Sequence, residues 1–193
     1  MRERAVEFLD ESPQILAARQ KWQFTGNARP DFAEATANGE ESVWDFPRPP
    51  VCELVKKPLK VLKNQQLIAE TQQGVRVLET AGAPTYYFPP DGVDLSAVAF
   101  GDLASVCEWK GLAQEVHVAG LRNAGWRYVR MFPAFADLFE WISFYPTELR
   151  CFVGDEQVTP QPGGYYGGWV TANLRGPSQG APGTSAWSRR SRL

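Results

Sequence analysis

Cysteine and histidine are scarce in this sequence, which disfavours most metal sites and catalytic pairs. Its 193 residues include three cysteines and one histidine. Cys52, Cys107 and Cys151 lie far apart, and none belongs to a C-x-x-C pair. A disulfide framework and a four-cysteine zinc site are therefore disfavoured, and we expect neither a metal nor a cofactor.

The single histidine, His117, lies in the alternating segment Q-E-V-H-V, which predicts a β-strand. Alternation places its side chain opposite Val116 and Val118, where an exposed or locally bonded histidine is the simpler interpretation. A Cys-His or Ser-His pair would have to use this residue, and no G-x-S-x-G turn marks a nucleophile. Whether the chain is an enzyme stays open, and the sequence leans against it.

An excess of charge and a long apolar run are also absent. The 20 basic and 22 acidic residues give a formal net charge of −2, so no overall field attracts nucleic acid or an anionic membrane. No run of about 18 apolar residues indicates a membrane-spanning helix, and the charged first residues do not form a secretory signal. We expect a cytoplasmic protein that binds neither nucleic acid nor a membrane.

Aromatic residues, by contrast, are abundant. The 11 Phe, 7 Trp and 6 Tyr residues make up 12% of the chain. Large rings fill a small core efficiently, whereas indole and phenol groups also need a polar partner when they are buried. This composition suits a protein with an aromatic-lined pocket.

The chain divides into three parts by composition. Residues 1–40 are an N-terminal extension, residues 41–176 a single β-rich domain, and residues 177–193 a C-terminal tail that packs on the domain and frays at its end. In the extension, an amphipathic helix over residues 3–20 precedes a tether rich in glycine and asparagine. Three aromatic residues are expected to pack this tether on the domain: Trp22, Phe24 and Phe32.

Short alternating runs bounded by turn residues predict strands through much of the domain. The predicted strands cover residues 52–57, 59–63, 66–71, 85–88, 105–109, 112–119, 126–131 and 150–153. A short helix is predicted at residues 74–80. A longer helix is predicted from Pro133, where apolar residues recur at i, i+3, i+4 and i+7. The fold class is therefore α+β, mainly β, with antiparallel sheets, one amphipathic helix and a short helix.

The segment C-E-W-K-G at residues 107–111 gathers several reactive groups. A strand that ends in a turn there presents a thiol, a carboxylate and an ammonium group near one indole. If Cys107 lines a cavity beside Lys110, its thiolate is favoured, which makes Cys107 the candidate catalytic residue. The alternative is that Cys107 is a small buried hydrophobe and Lys110 a hairpin charge.

A small polar or anionic molecule is the partner that the aromatic and charged residues favour. Sites for such ligands combine apolar walls with a few converging polar groups. The predicted ligand-binding residues are Trp44, Arg76, Glu79, Tyr86, Trp109, Lys110 and Trp169. Arg76 and Glu79 are also spaced for a structural ion pair on the predicted short helix.

Three functions remain open on the sequence alone. The first is a small-ligand-binding β domain with an aromatic-lined pocket. The second is an interaction or assembly protein, a homo-oligomer included, that acts through the N-terminal extension. The third is a thiol-dependent enzyme that uses Cys107.

Five motifs together resemble those of a known family, the domain of unknown function 427. They are E-S-V-W-D-F-P-R-P-P (residues 41–50), R-V-L-E-T (76–80), P-T-Y-Y-F-P-P (84–90), C-E-W-K-G (107–111) and V-T-P-Q-P-G-G-Y-Y-G-G-W (158–169). The last of them is similar to the corresponding segment in cyanobacterial members. The resemblance therefore covers most of the chain after residue 40.

The resemblance implies a compact β-tent-like fold, similar to the ligand-binding domain of cereblon and to methionine sulfoxide reductase B. Those relatives often hold zinc on two C-x-x-C pairs, which this sequence lacks. The family is also labelled nucleotidyltransferase-like, but no G-S motif followed by paired aspartates supports that activity here. A-G-A-P at residues 81–84 stands where the family usually has S-H-P-P, so a site that needs this histidine does not carry over.

Overall fold

Strands make up most of the regular secondary structure of this protein, whose computed structural model describes residues 5–184. The strands are β1 (Glu41–Ser42), β2 (Val51–Leu54), β3 (Leu59–Lys63), β4 (Gln66–Thr71), β5 (Val75–Leu78), β6 (Thr85–Phe88), β7 (Val98–Cys107), β8 (Gly111–Val118), β9 (Leu121–Met131), β10 (Ile142–Phe144), β11 (Arg150–Val153), β12 (Glu156–Gln157), β13 (Thr159–Pro160), β14 (Trp169–Val170) and β15 (Leu174–Arg175). An α-helix, α1 (Pro13–Gln20), precedes them. Three 3₁₀ helices span Pro90–Gly92, Leu95–Ala97 and Pro133–Leu138.

The strands form two main antiparallel sheets. A seven-stranded sheet has the order β2-β5-β6-β10-β9-β8-β7, and a four-stranded sheet has the order β12-β11-β3-β4. Two small pairs complete the set: β13 with β14, which is antiparallel, and β1 with β15, which is parallel. The prediction of a mainly β fold with antiparallel sheets is confirmed, and the finer likeness to a β-tent stays a prediction.

Strand alternation separates two cores on the two faces of the seven-stranded sheet. On β6, Tyr86 and Phe88 contribute to one core, whereas Tyr87 contributes to the other. The first core contains residues of both main sheets and is apolar, with Phe144 and Trp169 fully buried in it. We call this side of the sheet the apolar face. We call the side that carries Tyr87 the polar face, because charged residues accompany its core.

The predicted helix at residues 74–80 is wrong, because this segment forms the strand β5. Val75 and Val77 are buried on the polar face, and Arg76 between them points the other way, which is the two-residue period of a strand. Backbone pairing with β2 on one side and β6 on the other fixes the extended form. The three-residue spacing of Val75 and Leu78 is also that of one helical turn, which is why the sequence predicted a helix here.

The predicted helix from Pro133 is also wrong beyond its first turns. A 3₁₀ helix ends at Leu138, and Glu140 adopts a left-handed backbone with φ +62° that breaks the helical path. The following residues then form β10, which fills the gap between β6 and β9 in the sheet. Tertiary pairing overrides the helical periodicity of this segment.

Aromatic rings of the N-terminal extension lie against the rest of the chain. Phe24 and Phe32 lie edge-on to Trp44, with ring centroids 5.2 and 5.1 Å away. The helix is shorter than predicted and covers α1 alone. Ser12 caps the helix by accepting a hydrogen bond from the Ile15 amide at 3.3 Å. The helix begins at Pro13 because proline suits a first helical turn but not a helix interior.

The described part of the C-terminal tail, residues 177–184, lies against the domain. The Gln179 amide donates to the Ala81 carbonyl at 2.8 Å, and the Gln161 side chain bonds to the Gln179 carbonyl. The predicted frayed end lies outside the described residues. Within residues 5–184, no helix is both long enough and apolar enough to cross a membrane.

Candidate functional site

Four charged side chains from separate parts of the chain meet beside the polar face. We call Arg48, Glu79, Glu108 and Lys110 the charge cluster. Arg48 lies in the loop between β1 and β2, and Glu79 directly follows β5. Glu108 and Lys110 occupy the turn that joins β7 to β8. The hairpin and the two loops therefore place these residues together although up to 62 positions separate them in the sequence.

Glu79 lies at the centre of the charge cluster and holds one cation on each carboxylate oxygen. Its Oε2 accepts a hydrogen bond from Lys110 Nζ at 3.1 Å, and its Oε1 lies 2.9 Å from Arg48 Nη2. Glu108 lies further out, with its Oε1 3.8 Å from Arg48 Nη1. The cluster is thus a continuous chain of alternating charge.

The charge cluster is shielded from solvent. The side chains of Arg48 and Lys110 are 4% and 9% exposed, and that of Glu79 is 26% exposed. Burial alone would raise the pKa of Glu79, but the charges and hydrogen bonds of Lys110 and Arg48 outweigh it and lower this pKa. Burial would likewise lower the pKa of Lys110, but the Cys107 and Glu79 groups raise it well above its ordinary value. Glu79 and Lys110 are therefore both charged near neutral pH.

The turn that carries Lys110 depends on glycine. Gly111 has φ +138°, and a Cβ built on it would lie 2.0 Å from the Arg130 carbonyl oxygen of the neighbouring strand. A larger residue would push the hairpin away from β9. Gly111 therefore holds Lys110 against Glu79.

The N-terminal extension covers the charge cluster from outside the sheet. Arg19, in the last turn of α1, donates from Nε to the Glu108 carbonyl at 2.7 Å. Its guanidinium carbon lies 5.1 Å from the Trp109 ring centroid. Trp22, just after the helix, packs against Arg48, whose guanidinium carbon lies over the Trp22 ring at 3.8 Å from its centroid. Cation–π contacts of this kind attach the extension to the cluster.

Several nitrogen donors at this boundary are buried and have no hydrogen-bond partner in the described part of the chain. They are Arg48 Nε, Arg48 Nη1, Trp22 Nε1 and Trp109 Nε1. More than nine in ten buried polar groups of folded proteins are hydrogen-bonded, so a group of four unpartnered donors marks an unusual place.

A thiol and two phenols adjoin the charge cluster. The Cys107 Sγ lies 4.0 Å from Glu108 Oε2. Burial raises the pKa of the Cys107 thiol, and the Glu79 and Glu108 carboxylates raise it further against the opposing effect of Lys110. Burial also raises the pKa of Tyr87 and of Tyr128. These groups are neutral at pH 7, so Cys107 is not poised as a thiolate nucleophile.

The structure divides the predicted ligand-binding residues among three places. Glu79 and Lys110 contact each other, and Trp109 lies between Lys110 and Glu108 in the same turn, against Arg19. Cys107, the predicted catalytic candidate, is also beside this cluster.

The other predicted residues lie elsewhere. Tyr86 stacks on Trp169 inside the apolar face, with ring centroids 4.8 Å apart. Trp44 is fully buried in a third core with Val43 and Phe46. The structure therefore does not bring all seven residues to one pocket.

The predicted ion pair between Arg76 and Glu79 does not form, because a strand turns the two side chains to opposite faces. Arg76 instead bonds to Glu41 at 2.7 Å and to Glu53 at 2.6 Å. The side-chain hydrogen bond to Glu41 is the main cause that raises the pKa of Arg76.

Sequence reasoning missed three residues of this site, Arg19, Trp22 and Arg48, of which Trp22 was expected only to pack the tether; the Glu108 carboxylate was part of the predicted turn. A signal was present for Arg48, since it is the one charged residue in the proline-rich run F-P-R-P-P at residues 46–50. A lone arginine among apolar and proline residues indicates a buried partner. Arg19 gave no such signal, because its contacts depend on where α1 docks.

The fold and the site define a mainly β domain whose polar face carries a buried charge cluster closed by an N-terminal extension. The family model of the domain of unknown function DUF427 matches residues 51–155. The chain belongs to this family. A search of curated proteins found no match.

The matched range divides the site. It includes Glu79, Glu108 and Lys110, whereas Arg19, Trp22 and Arg48 precede it. Within residues 5–184 no group of three or more His, Cys, Asp or Glu side chains is arranged to hold a metal ion.

Proposed function

We propose that this protein binds a small polar ligand at the charge cluster. The observation that carries the proposal is the nearly complete burial of Arg48 and Lys110 on either side of Glu79. Removing such charges from water costs several kcal/mol per ion, by rough estimates, and their mutual attraction returns this only in part. A buried ionic network of low stabilising value is therefore a candidate binding site.

The position of the cluster also supports binding. It lies where the N-terminal extension meets the edge of the domain, between Trp22 and Trp109. Ligand sites prefer such boundaries and combine aromatic walls with a few polar groups. The extension contributes Trp22 to this boundary and the hairpin contributes Trp109.

The two alternatives receive less support. A thiol-dependent enzyme needs an accessible thiolate, whereas burial raises the pKa of Cys107. An assembly function through the extension has mixed support, because Ile15 and Ala18 of α1 are buried in the chain itself, whereas other apolar residues of the extension are exposed. The exposed residues are Phe8, Leu16 and Phe32. Binding therefore remains the proposed function.

Native mass spectrometry tests the proposal. The full chain is incubated with a small-metabolite extract freed of macromolecules, desalted and weighed under native and denaturing conditions. We expect one small molecule per chain, retained by the wild type and lost from Arg48→Met.

A matched control is Arg76→Met, which removes another arginine held between two glutamates but on the apolar face. We expect this variant to retain the ligand. A wild type that retains nothing would contradict the proposal, and loss of the ligand from Arg76→Met alone would place the site elsewhere.

A further inference from the structure

The unpartnered atoms beside the charge cluster are all hydrogen-bond donors. Two are indole N–H groups, of Trp22 and Trp109, and two are nitrogens of the Arg48 guanidinium. None of these groups is able to accept a hydrogen bond, because indole N–H and guanidinium are donors only. The chemical group that satisfies them must therefore present acceptors.

These donors belong to one connected set. The Trp22 ring lies against the Arg48 guanidinium at 3.8 Å. Arg48 Nη1 approaches the Glu108 carboxylate at 3.8 Å, and the Glu108 carbonyl accepts from Arg19 Nε. Arg19 in turn lies over the Trp109 ring. A short chain of direct contacts thus joins all four donors.

Apart from the half-exposed Glu11, positive charge exceeds negative charge by one around the donors, which favours an anion. Arg19, Arg48 and Lys110 supply three positive charges, and Glu79 and Glu108 supply two negative ones. Glu11 balances the remaining positive charge, that of Arg19, because its Oε1 lies 2.5 Å from Arg19 Nη1. The Glu11 side chain is 50% exposed, so an incoming anion is able to replace it.

We infer that the ligand carries an oxyanion, a carboxylate or a phosphate group, bound by the free donors of Arg48, Trp22 and Trp109. The inference rests on the proposed function and adds the chemical class of the ligand. It also makes the N-terminal extension part of the site, because Trp22 provides one donor and Arg19 adds positive charge. An oxyanion has acceptor atoms only and matches the donors, whereas an amine would leave them unsatisfied.

Four small aromatic probes test the inference on the full chain. Benzoate and phenyl phosphate carry the two oxyanions, benzamide is the neutral counterpart of benzoate, and benzylamine is the cation. Their affinities are measured by ligand-observed NMR. We expect at least one oxyanion to bind roughly tenfold or more tightly than benzamide, with no binding of benzylamine, and the better oxyanion indicates the source of the group.

Tryptophan variants test the donors one at a time. Trp22→Phe and Trp109→Phe each remove one N–H group and keep an aromatic ring. We expect each to weaken oxyanion binding by roughly threefold to tenfold, the worth of one hydrogen bond. Trp141→Phe is the matched control, since Trp141 is also partly buried by the polar-face core but has no unpartnered buried donor. It should bind as the wild type does.

The outcomes separate the inference from the proposed function. Benzamide or benzylamine binding as tightly as the oxyanions would overturn the inference, as would unchanged oxyanion binding in both Trp22→Phe and Trp109→Phe. In those cases a ligand lost from Arg48→Met would still uphold the proposed function. If no probe binds and native mass spectrometry finds no retained molecule, the proposed function itself fails.

Discussion

The two faces of the seven-stranded sheet are built from neighbouring residues but differ in chemistry. On the apolar face, Tyr86 stacks on Trp169, and Phe88 packs edge-on to Phe144. On the polar face, Tyr87 accepts a hydrogen bond from Trp126 Nε1 at 3.3 Å beside the charge cluster. One strand, β6, supplies residues to both.

The difference shows which parts of the sequence serve folding alone. Apolar burial explains the apolar face, where even the one indole N–H of Trp169 is satisfied by the Phe144 carbonyl at 2.9 Å. The polar face keeps buried charges of a kind that apolar residues are often able to replace without loss of stability. Its residues are therefore the ones to which we assign a function.

The largest stability effect is expected on the apolar face. Trp169→Ala removes a fully buried ring and should lower the free energy of unfolding by about 3–5 kcal/mol, the usual cost of such a cavity. Urea denaturation measures it, with the partly exposed Trp141→Ala as a milder control. A loss below about 1 kcal/mol, well under this range, would contradict the close packing of this face.

Removing the central carboxylate of the polar face should cost less. Glu79→Gln leaves Lys110 and Arg48 without their shared partner, and we expect a loss of about 2–4 kcal/mol, at the low side for a buried pair because Glu79 is partly exposed. The same urea experiment measures it. An unchanged free energy of unfolding would show that the three charges are not coupled.

The stabilising effect of Glu79 should depend on pH in the acid range. Its pKa is lowered in the folded state from an ordinary value of 4.5. The folded protein therefore holds this proton less tightly than the unfolded chain, so the stabilisation is complete above about pH 4.5 and is lost as the pH falls through the lowered pKa.

Urea midpoints between pH 3 and pH 6 check this expectation. The difference between the wild type and Glu79→Gln should shrink as the pH falls, because both side chains are then neutral. A difference that grows towards low pH would reverse the sign and contradict the ion pairing.

Thiol reactivity compares the two cores without changing stability. Cys107 lies beside the polar face and Cys151 inside the apolar core, and burial raises the pKa of both thiols. Cys52 is exposed. We expect the native protein to take up one alkyl group rapidly at pH 8, at Cys52, and the other two only in denaturant.

Peptide mass mapping assigns the modified cysteine. Rapid native labelling of Cys107 would revive the thiol-dependent enzyme that the sequence left open. Labelling of Cys151 would instead indicate that the apolar core opens easily.

The sequence predicted the β-rich fold because alternation and turn residues are local signals. It did not predict that residues 142–144 form the strand β10, because pairing with β6 and β9 is decided far away in the chain. Likewise, the motif R-V-L-E-T indicated that Glu79 was important but gave it the wrong partner. Lys110, its real partner, lies 31 residues further on.

The two parts of the site, one on the domain and one on the N-terminal extension, also differed in how well the sequence predicted them. The turn at residues 107–111 was predicted from adjacent polar residues, and Glu79 and Lys110 do meet there. Arg19 and Trp22 were not predicted, because their role depends on how the N-terminal extension docks. Local patterns thus identified single residues, and the fold decided which of them meet.

The central claim is that the charges of the polar face are kept for binding and not for stability. The most direct test is the free energy of unfolding of the triple variant Arg48→Met/Glu79→Leu/Lys110→Met, which removes Glu79 together with both of its buried cations. Replacing a buried ion pair by apolar residues of similar size is often neutral or stabilising, so we expect a value within about 1 kcal/mol of the wild type or above it. A loss as large as that of Glu79→Gln alone would show that the charges serve the fold and would contradict the account.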